Sequence, residues 1–198
     1  MRPSGKTKTP GFLVLAAGES VRFGEPCKLL SKLPNGSSLI DNTLAALSAV
    51  NNKICVVLSE TSPLKKRVAE LPFDYTVYPG KSPGLGDSLA WGVRATEAWG
   101  GWIICLADMP WIDSKAYRAV FDLACKQNNI IAPTFNGQRG HPVFFPPKFR
   151  EQLAALRGDS GANSIIKSHA SELLTLESAC EGVLMDVDVP VDLHSSIK

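Results

Sequence analysis

The 198-residue chain is 44% hydrophobic and 20% charged, with a formal net charge of +2. This length and composition fit one well-packed domain, and the balanced charge gives no indication of nucleic-acid binding. Residues 1–10 are polar and lack the apolar segment of a signal peptide. No stretch reaches the roughly 18–20 apolar residues of a membrane span. We therefore expect a flexible tail over 1–10, one domain over 11–198, and neither a membrane nor a nucleic-acid partner.

The five cysteines are widely spaced, and no two of them form a Cys-x-x-Cys pair. This pattern argues against a zinc site and against a disulfide framework. Cys55 and Cys105 fall inside apolar runs, which is typical of small core residues. We therefore expect free thiols and a cytoplasmic location, because the cytoplasm keeps cysteines reduced.

Short apolar runs alternate with segments of helical spacing through the first two thirds of the chain. Helix-start signals occur at Ser38 and at Asp113 or Ser114. The predicted strands are Phe12–Leu15, Ile54–Leu58, Tyr75–Tyr78, Trp102–Leu106 and Ile130–Ala132. The predicted helices are Leu39–Val50, Pro63–Leu71, Leu89–Trp99 and Ser114–Cys125. Such alternation is typical of right-handed βαβ units, so we predict an α/β fold with a mainly parallel central sheet flanked by helices.

The pattern changes after Pro133, where Thr134–Gly140 has the composition of a turn. The elements predicted beyond it are the strands His141–Phe145, Leu173–Leu176 and Val183–Val187 and the helices Phe149–Leu156 and Ala162–His169. We expect this half of the chain to add a small antiparallel elaboration to the main sheet.

The first predicted strand runs directly into the loop Leu15-Ala-Ala-Gly18, which is followed by Arg22 and Lys28. The small side chains of the loop leave its backbone N–H groups accessible, so a polyphosphate can approach closely. The two cations suit phosphate oxygens. An ordinary flexible turn is the alternative. The spacing matches neither a P-loop nor the dinucleotide-binding Rossmann motif.

Carboxylates follow two other predicted strands. Asp108 ends an apolar run, where an unpaired carboxylate is costly. It is suited to bind a metal or to cap the next helix, and the intervening Met109-Pro110 favours the metal. Asp186 and Asp188 alternate along a predicted strand, so they should face opposite sides and at most one should join Asp108. Two carboxylates and water suit Mg²⁺, which also binds nucleotide phosphates.

Three glycine-containing segments are further candidates. Gly84-Leu-Gly-Asp-Ser88 allows close backbone approach, although its Asp and Ser are equally suited to cap a helix. Arg139 and His141 are candidate anion contacts, although a lone histidine before proline is more often structural. Gly158-Asp-Ser-Gly161 precedes a predicted helix, so its N–H groups suit either a second phosphate or a plain helix start.

Six segments, taken in chain order, resemble the MobA/MocA-like nucleotidyltransferases over nearly the whole chain. They are Leu15-Ala-Ala-Gly-Glu-Ser-Val-Arg-Phe-Gly24 with Lys28, Gly84-Leu-Gly-Asp-Ser-Leu-Ala-Trp-Gly92, Leu106-Ala-Asp-Met-Pro110, Gly140-His-Pro142, Gly158-Asp-Ser-Gly-Ala162 and Asp186-Val-Asp-Val-Pro-Val-Asp-Leu193. Two departures are visible. The interval from Arg22 to Lys28 is one residue longer than usual. Asn163 stands where the family often has a basic residue, so one phosphate contact is either missing or supplied elsewhere.

The resemblance implies a Rossmann-like nucleotidyltransferase fold and transfer of a nucleotidyl group from an NTP, with release of pyrophosphate. Family members join CMP or GMP to the terminal phosphate of the molybdenum cofactor, a phosphorylated pterin. Ala17 favours CTP, because guanylyl members tend to have glycine at that position. The resemblance also implies Mg²⁺, or Mn²⁺ in its place, and a molybdoenzyme or its maturation chaperone as a protein partner.

The same resemblance assigns roles to individual residues. The catalytic residues are Arg22, Lys28 and Asp108, and the metal ligands are Asp108 and Asp188. The nucleotide site comprises Leu15, Ala16, Ala17, Gly18, Arg22, Lys28, Gly84 and Ser88. The acceptor side comprises Gly86, Arg139, His141, Asp159 and Ser160. Two alternatives stay open: a nucleotidyltransferase using GTP or ATP with another phosphorylated acceptor such as a phosphosugar, and a non-catalytic chaperone that binds the cofactor.

Overall fold

The computed structural model describes residues 8–18, 27–80 and 84–194. The strands of this part are β1 (Gly11–Leu15), β2 (Ile54–Ser59), β3 (Asp74–Tyr78), β4 (Trp102–Leu106), β5 (Ile130–Phe135), β6 (Gln138–Arg139), β7 (Val143–Phe145) and β8 (Leu173–Glu177). The helices are α1 (Leu39–Ser48), α2 (Lys65–Ala69), α3 (Leu85–Ala95), α4 (Ser114–Ala124), α5 (Arg150–Ala154) and α6 (Asn163–Ser168). Short 3₁₀ segments lie at Lys28–Leu30, Pro147–Phe149, Ala170–Glu172, Glu181–Leu184 and Pro190–His194.

The eight strands form one sheet in the order β3-β2-β1-β4-β7-β5, and both β6 and β8 pair with β5. The strands β3, β2, β1 and β4 are parallel to one another. The strand β7 runs antiparallel to both β4 and β5, and β6 forms a hairpin with β5. The predicted α/β fold, with a mainly parallel sheet and a small antiparallel part in the C-terminal half, is therefore confirmed.

Helices bury both faces of the sheet, as a parallel sheet requires. Side chains alternate along β1, so Phe12 packs in one apolar cluster with Leu44 and Tyr117, from α1 and α4. Leu13 packs in the opposite cluster with residues of α3, including Leu89. All five side chains are at most 2% exposed. This two-sided burial explains why the predicted strands are nearly continuous apolar runs.

Two of the predicted helix starts are confirmed at the level of the capping hydrogen bond. The Ser38 hydroxyl accepts from the Asp41 N–H at 3.2 Å and begins α1. The Asp113 carboxylate accepts from the Ala116 N–H at 2.7 Å and begins α4. Helix α3 begins at Leu85, four residues earlier than predicted. Residues 85–88 of the glycine-containing segment therefore belong to the helix, and Gly84 is its N-cap.

The strand prediction over Val183–Val187 is wrong. This segment begins in a 3₁₀ turn and continues outside the sheet, and Gly182 at its start packs closely against the Trp111 backbone. The Val183 carbonyl accepts from the His141 N–H at 2.9 Å, and the Val187 N–H donates to the Asp108 carbonyl at 2.9 Å. The segment therefore still lies beside the loop that follows β4.

The strand predicted at His141–Phe145 is shorter, because it begins at Val143. Pro142 has no N–H to donate to a neighbouring strand, so pairing with β4 starts one residue later. Within the described residues, no helix is long and apolar enough to cross a membrane.

Candidate active site

The loops that follow β1 and β4 lie side by side at the carboxyl edge of the sheet. Leu15 and Leu106 are paired at the ends of these strands, and the Ala107 N–H donates to the Leu15 carbonyl at 3.2 Å. Ala16 and Ala17 are buried, at 5% and 3% exposure, whereas Gly18 is exposed. The small-residue loop therefore turns from the core to the surface next to Asp108, at the edge where open α/β sheets bind ligands.

Helix α1 fixes the loop that follows β4. The Thr43 hydroxyl donates to the Ala107 carbonyl at 3.3 Å, and the Asn42 amide donates to the Pro110 carbonyl at 2.7 Å. These side chains lie one after the other on the helix that Ser38 caps, so the start of α1 also sets their position. The backbone on both sides of Asp108 is thereby held against a buried helix.

Lys28 lies between two of the predicted carboxylates. Its Nζ is 2.8 Å from Asp108 Oδ2 and 3.8 Å from Asp188 Oδ1. The lysine is only 8% exposed, and a buried ammonium requires such partners. The longer interval after Arg22 therefore does not prevent Lys28 from reaching the crevice. Arg22 itself lies outside the described residues.

The expectation that Asp186 and Asp188 face opposite sides required a strand, and this segment does not form one. Of these two carboxylates, Asp188 lies near Lys28 and Asp108, since its Oδ1 is 3.8 Å from Lys28 Nζ. Burial raises the pKa of Asp186, and Asp188 and Asp108 raise it further. The loop is closed by Asp192, whose carboxylate accepts from the N–H groups of Asp188 and Val189, each at 2.8 Å. These two hydrogen bonds lower the pKa of Asp192.

Asp108 and Asp188 fit a divalent cation by their chemistry, because two carboxylates are typical Mg²⁺ ligands when phosphates and water complete the shell. The described residues contain no group of three acidic, histidine or cysteine side chains arranged to hold a metal by themselves. Among the described residues, a metal at this place would therefore take its remaining ligands from water or a bound phosphate.

The two glycine-rich segments predicted to bind substrates pack against each other. A side chain at Gly84 or Gly86 would overlap the backbone of residues 157–160. The Gly86 N–H donates to the Gly158 carbonyl at 2.8 Å, and the Asp87 carboxylate accepts from the Gly158 N–H. The Ser88 hydroxyl donates to the Gly84 carbonyl at 3.2 Å. Asp87 therefore joins the two segments instead of capping α3.

The second segment leads into α6, which begins at Asn163. Asp159 and Ser160 are exposed in this segment, beside the joint with the start of α3. The structure thus brings both predicted substrate loops to one place.

A cavity of about 200 Å³ lies between these loops and the end of β1. Leu15, Leu85 and Leu106 contribute to its apolar wall, and Arg139, His141 and Asn163 are among its polar lining residues. Leu15 of the predicted nucleotide side therefore lines the same cavity as Arg139 and His141 of the predicted acceptor side.

His141 is a titratable residue that lines this cavity. Its Nδ1 is buried without a hydrogen-bond partner among the described residues, while the ring interacts with the Ile104 backbone. Burial lowers the pKa of His141, and the Arg139 charge lowers it further. The lowered pKa favours the neutral imidazole, whose Nδ1 is bound by no group of the described residues.

Sequence reasoning did not predict the contacts of three residues near the candidate site. Asp87 joins the substrate loops, Asp192 closes the loop that carries Asp188, and Asn163 contacts Arg139 at 2.6 Å. Asp87 and Asp192 belong to recognised segments, but their sequence neighbours do not reveal contacts 71 residues away or with the backbone of a non-strand loop.

The family description "MobA-like NTP transferase domain" matches residues 12–173 of the chain. The chain belongs to the MobA-like NTP transferase family. A curated relative, "Purine catabolism protein PucB" of Bacillus subtilis (strain 168), is 28% identical over 186 residues, which cover 89% of this chain and 90% of the relative. A "Probable molybdenum cofactor guanylyltransferase" of Bacillus cytotoxicus is 33% identical over 138 residues, which cover 67% of this chain and 65% of the relative.

Solved structures show the same fold. Rv0371c from Mycobacterium tuberculosis H37Rv is 23% identical, with a TM-score of 0.77 over 93% of this chain and 95% of that chain. A structure of Rv0371C in complex with manganese is 20% identical, with a TM-score of 0.69 over 94% of each chain. These structures confirm the Rossmann-like α/β fold, and the match to the MobA-like NTP transferase family confirms the family resemblance of the sequence motifs.

Proposed function

We propose that this NTP transferase moves CMP from CTP to the terminal phosphate of the molybdenum cofactor and releases pyrophosphate. The observation that carries the proposal is the contact of Lys28 with Asp108 and Asp188 beside the buried loop at the end of β1. A lysine and two carboxylates at one point suit a triphosphate and a divalent cation, because phosphoryl transfer depends mainly on positioning and charge neutralisation.

The nucleotide side is formed by the first loop and the start of α3. The N–H groups of Ala17 and Gly18 hold the nucleotide next to Leu15, and Gly84 and Ser88 border it. The Ala16 N–H does not take part as expected, because it donates to the Val57 carbonyl at 3.0 Å, so Ala16 fixes the start of the loop. Lys28, together with Arg22, binds the triphosphate and stabilises the leaving pyrophosphate. The support for Lys28 is its position in the crevice, whereas Arg22 is assigned from the family motif alone.

Asp108 and Asp188 hold Mg²⁺, or Mn²⁺ in its place. The metal supplies neutralisation of phosphate charge when it is bound. A metal at these carboxylates would repel the Lys28 ammonium, and the phosphate oxygens of a bound triphosphate would offer Lys28 other acceptors. A related fold solved with manganese supports a divalent cation.

The acceptor side is formed by Gly86, Arg139, His141, Asp159 and Ser160. Arg139 and His141 line the cavity, and the other three belong to the joint between the two substrate loops. An apolar wall with a few polar groups suits a flat heterocycle that carries a phosphate. The attacking phosphate oxygen needs no strong base, because it is already ionised at neutral pH.

The choice of CTP rests on Ala17. Its methyl group is buried among the side chains packed on the α3 face of the sheet, so glycine there would leave more room beside the nucleotide loop. GTP is the second candidate nucleotide, because the relative from Bacillus cytotoxicus is named a probable guanylyltransferase. We further propose a cytoplasmic location, which the five free thiols support, and delivery of the product to a molybdoenzyme or its maturation chaperone.

Pyrophosphate release from each of the four NTPs, with the molybdenum cofactor and Mg²⁺, tests the proposal. CTP should give the highest kcat/KM, and Ala17→Gly should lower the preference for CTP over GTP by at least about tenfold. A higher kcat/KM with GTP in the wild type would replace cytidylyl by guanylyl transfer. Tight binding of the cofactor without pyrophosphate from any NTP would instead support a non-catalytic chaperone.

A further inference from the structure

Arg139 lies at the cavity with a neutral partner and without a compensating carboxylate. Its Nη2 donates to Asn163 Oδ1 at 2.6 Å, and both residues are exposed. No ion pair joins it to any carboxylate of the described residues. A guanidinium has five N–H donors in a planar fork, so most of them stay available when one is bound to an amide oxygen.

The backbone that carries Arg139 is rigidly held. Asn136 and Gly137, with φ of 51° and 76°, form the two-residue turn between β5 and β6, as in type I′ hairpins. Glu177 accepts from the Asn136 N–H at 3.0 Å and from the Thr134 hydroxyl at 2.6 Å. The turn and the hydrogen bonds of the Glu177 carboxylate therefore fix the position of the Arg139 backbone.

The other side of Arg139 is fixed as well. A side chain at Gly140 would overlap the Val183 backbone, and the His141 N–H donates to the Val183 carbonyl at 2.9 Å. Asn163, which accepts the hydrogen bond from the guanidinium, is the first residue of α6. Arg139 and Asn163 therefore meet across the cavity mouth from two separate elements, 24 residues apart in the chain.

We propose that Asn163 is a positioning residue that presents the Arg139 guanidinium to the phosphate of the acceptor. An amide oxygen fixes the guanidinium without neutralising it, whereas a carboxylate at the same position would form an ion pair and occupy it. The choice of asparagine thus keeps a full positive charge free at the cavity mouth. The identity of the acceptor rests on the proposed function; the oxyanion subsite does not.

The rest of the cavity defines the class of ligand. Leu15, Leu85 and Leu106 offer an apolar wall, and the unpaired Nδ1 of His141 offers one hydrogen-bonding group. The ligand is therefore a phosphate monoester whose body is flat or apolar and carries one group that hydrogen-bonds to an imidazole nitrogen. Both Arg139 and Asp108 act on the pKa of His141, so this subsite lies within electrostatic range of the proposed metal ligand.

Binding of inorganic phosphate, measured calorimetrically without nucleotide or metal, tests the subsite independently of the acceptor. Asn163→Asp should weaken phosphate binding by at least about tenfold, because it neutralises Arg139, whereas Asn163→Ala should weaken it by only about two- to fivefold. The exchanged pair Arg139→Asn/Asn163→Arg should restore binding to within about threefold of wild type. Arg118→Met is the matched control and should change nothing, since the Arg118 guanidinium donates to the carbonyl of Ala49, the residue that follows α1.

Equal weakening by Asn163→Asp and Asn163→Ala would overturn the proposal, because a purely structural asparagine predicts that result. Failure of the exchanged pair to bind phosphate while retaining the wild-type melting temperature would overturn it as well. If Asn163→Asp does not fold, Arg139→Gln is measured in its place. This variant should weaken phosphate binding by the tenfold or more that is expected of Asn163→Asp, and unchanged binding would overturn the proposal.

Turnover separates this inference from the proposed function. With the molybdenum cofactor as acceptor, Asn163→Asp should raise the KM for the cofactor and leave the KM for CTP unchanged. If the wild type does not use this cofactor, the proposed function fails, and the phosphate titrations still decide whether Asn163 and Arg139 form an oxyanion subsite.

Discussion

Lys28 Nζ and Asp108 Oδ2 are 2.8 Å apart, and the same ammonium lies 3.8 Å from Asp188 Oδ1. The proposed divalent cation would therefore compete with Lys28 for these carboxylates. A bound triphosphate would offer Lys28 other oxygens and leave Asp108 and Asp188 to the proposed metal. Binding of metal and nucleotide should consequently be cooperative, because each favours the same arrangement of Lys28.

Lys28→Met should increase the affinity of the free protein for Mn²⁺ by at least about tenfold, because it removes a positive charge next to both proposed ligands. Methionine keeps a similar length and apolar body, so the buried site stays filled. Free Mn²⁺ is measured by electron paramagnetic resonance in titrations without nucleotide. Lys32→Met, at a nearby exposed lysine, is the control and should have no such effect. Equal Mn²⁺ affinities for wild type and Lys28→Met would show that the ammonium does not compete with the metal.

Asp108→Asn should lower the rate of pyrophosphate release by at least about 100-fold at saturating CTP and Mg²⁺, because it removes one charged metal ligand. The amide keeps the size of the side chain, so the backbone held by α1 should not move. Steady-state assays well below the melting temperature measure the effect, with Asp122→Asn on the exposed surface of α4 as the control. A near-normal Mg²⁺-dependent rate for Asp108→Asn would remove this residue from the catalytic site.

Local patterns were sufficient to predict most elements of the sheet and two of the helix caps. The alternation of Phe12 and Leu13 between two apolar clusters is visible as a continuous apolar run, and Ser38 and Asp113 precede helical spacing. The strand prediction over 183–187 failed because the apolar residues of this segment alternate as they do in a strand. Gly182 at the start of the segment packs closely against Trp111, and these two residues are distant in the sequence.

In the candidate site, too, local patterns were predictable and contacts between distant residues were not. The position of Asp108 after a buried strand predicted its place at the sheet edge. The partners of Lys28 and Asp87 could not be predicted, because Lys28 meets Asp108 80 residues away and Asp87 meets Gly158 71 residues away. The position of Asn163 against Arg139 depends on how a hairpin and a helix of the C-terminal half pack, which single-sequence patterns do not encode.

Gly84→Ala and Gly18→Ala should separate folding from nucleotide binding. A methyl group at Gly84 would overlap the Gly158 backbone, so this variant should lose about 1–3 kcal/mol of unfolding free energy. No described atom lies within 4 Å of a methyl group at Gly18, so its melting temperature should stay at the wild-type value. The KM for CTP should nevertheless rise in Gly18→Ala, because the methyl group enters the proposed phosphate cradle. Thermal melts measure the stability of both variants, and initial rates measure the KM for CTP. An unchanged KM in Gly18→Ala would exclude Gly18 from the nucleotide site.

His141 should make the stability of the protein depend on pH. Burial lowers the pKa of His141 below its ordinary value of 6.5, so the unfolded chain binds a proton more readily than the folded protein. Stability from this residue is therefore complete above about pH 6.5 and is lost as the pH falls toward the lower pKa of the folded state. His141→Leu should reduce the loss of stability between pH 7.5 and 5.5, measured by urea unfolding. His169→Gln is the control, since the His169 Nδ1 is hydrogen-bonded to the Ile165 carbonyl and the residue lies away from the cavity lining. An equal loss in wild type and His141→Leu would mean that other groups cause the pH dependence.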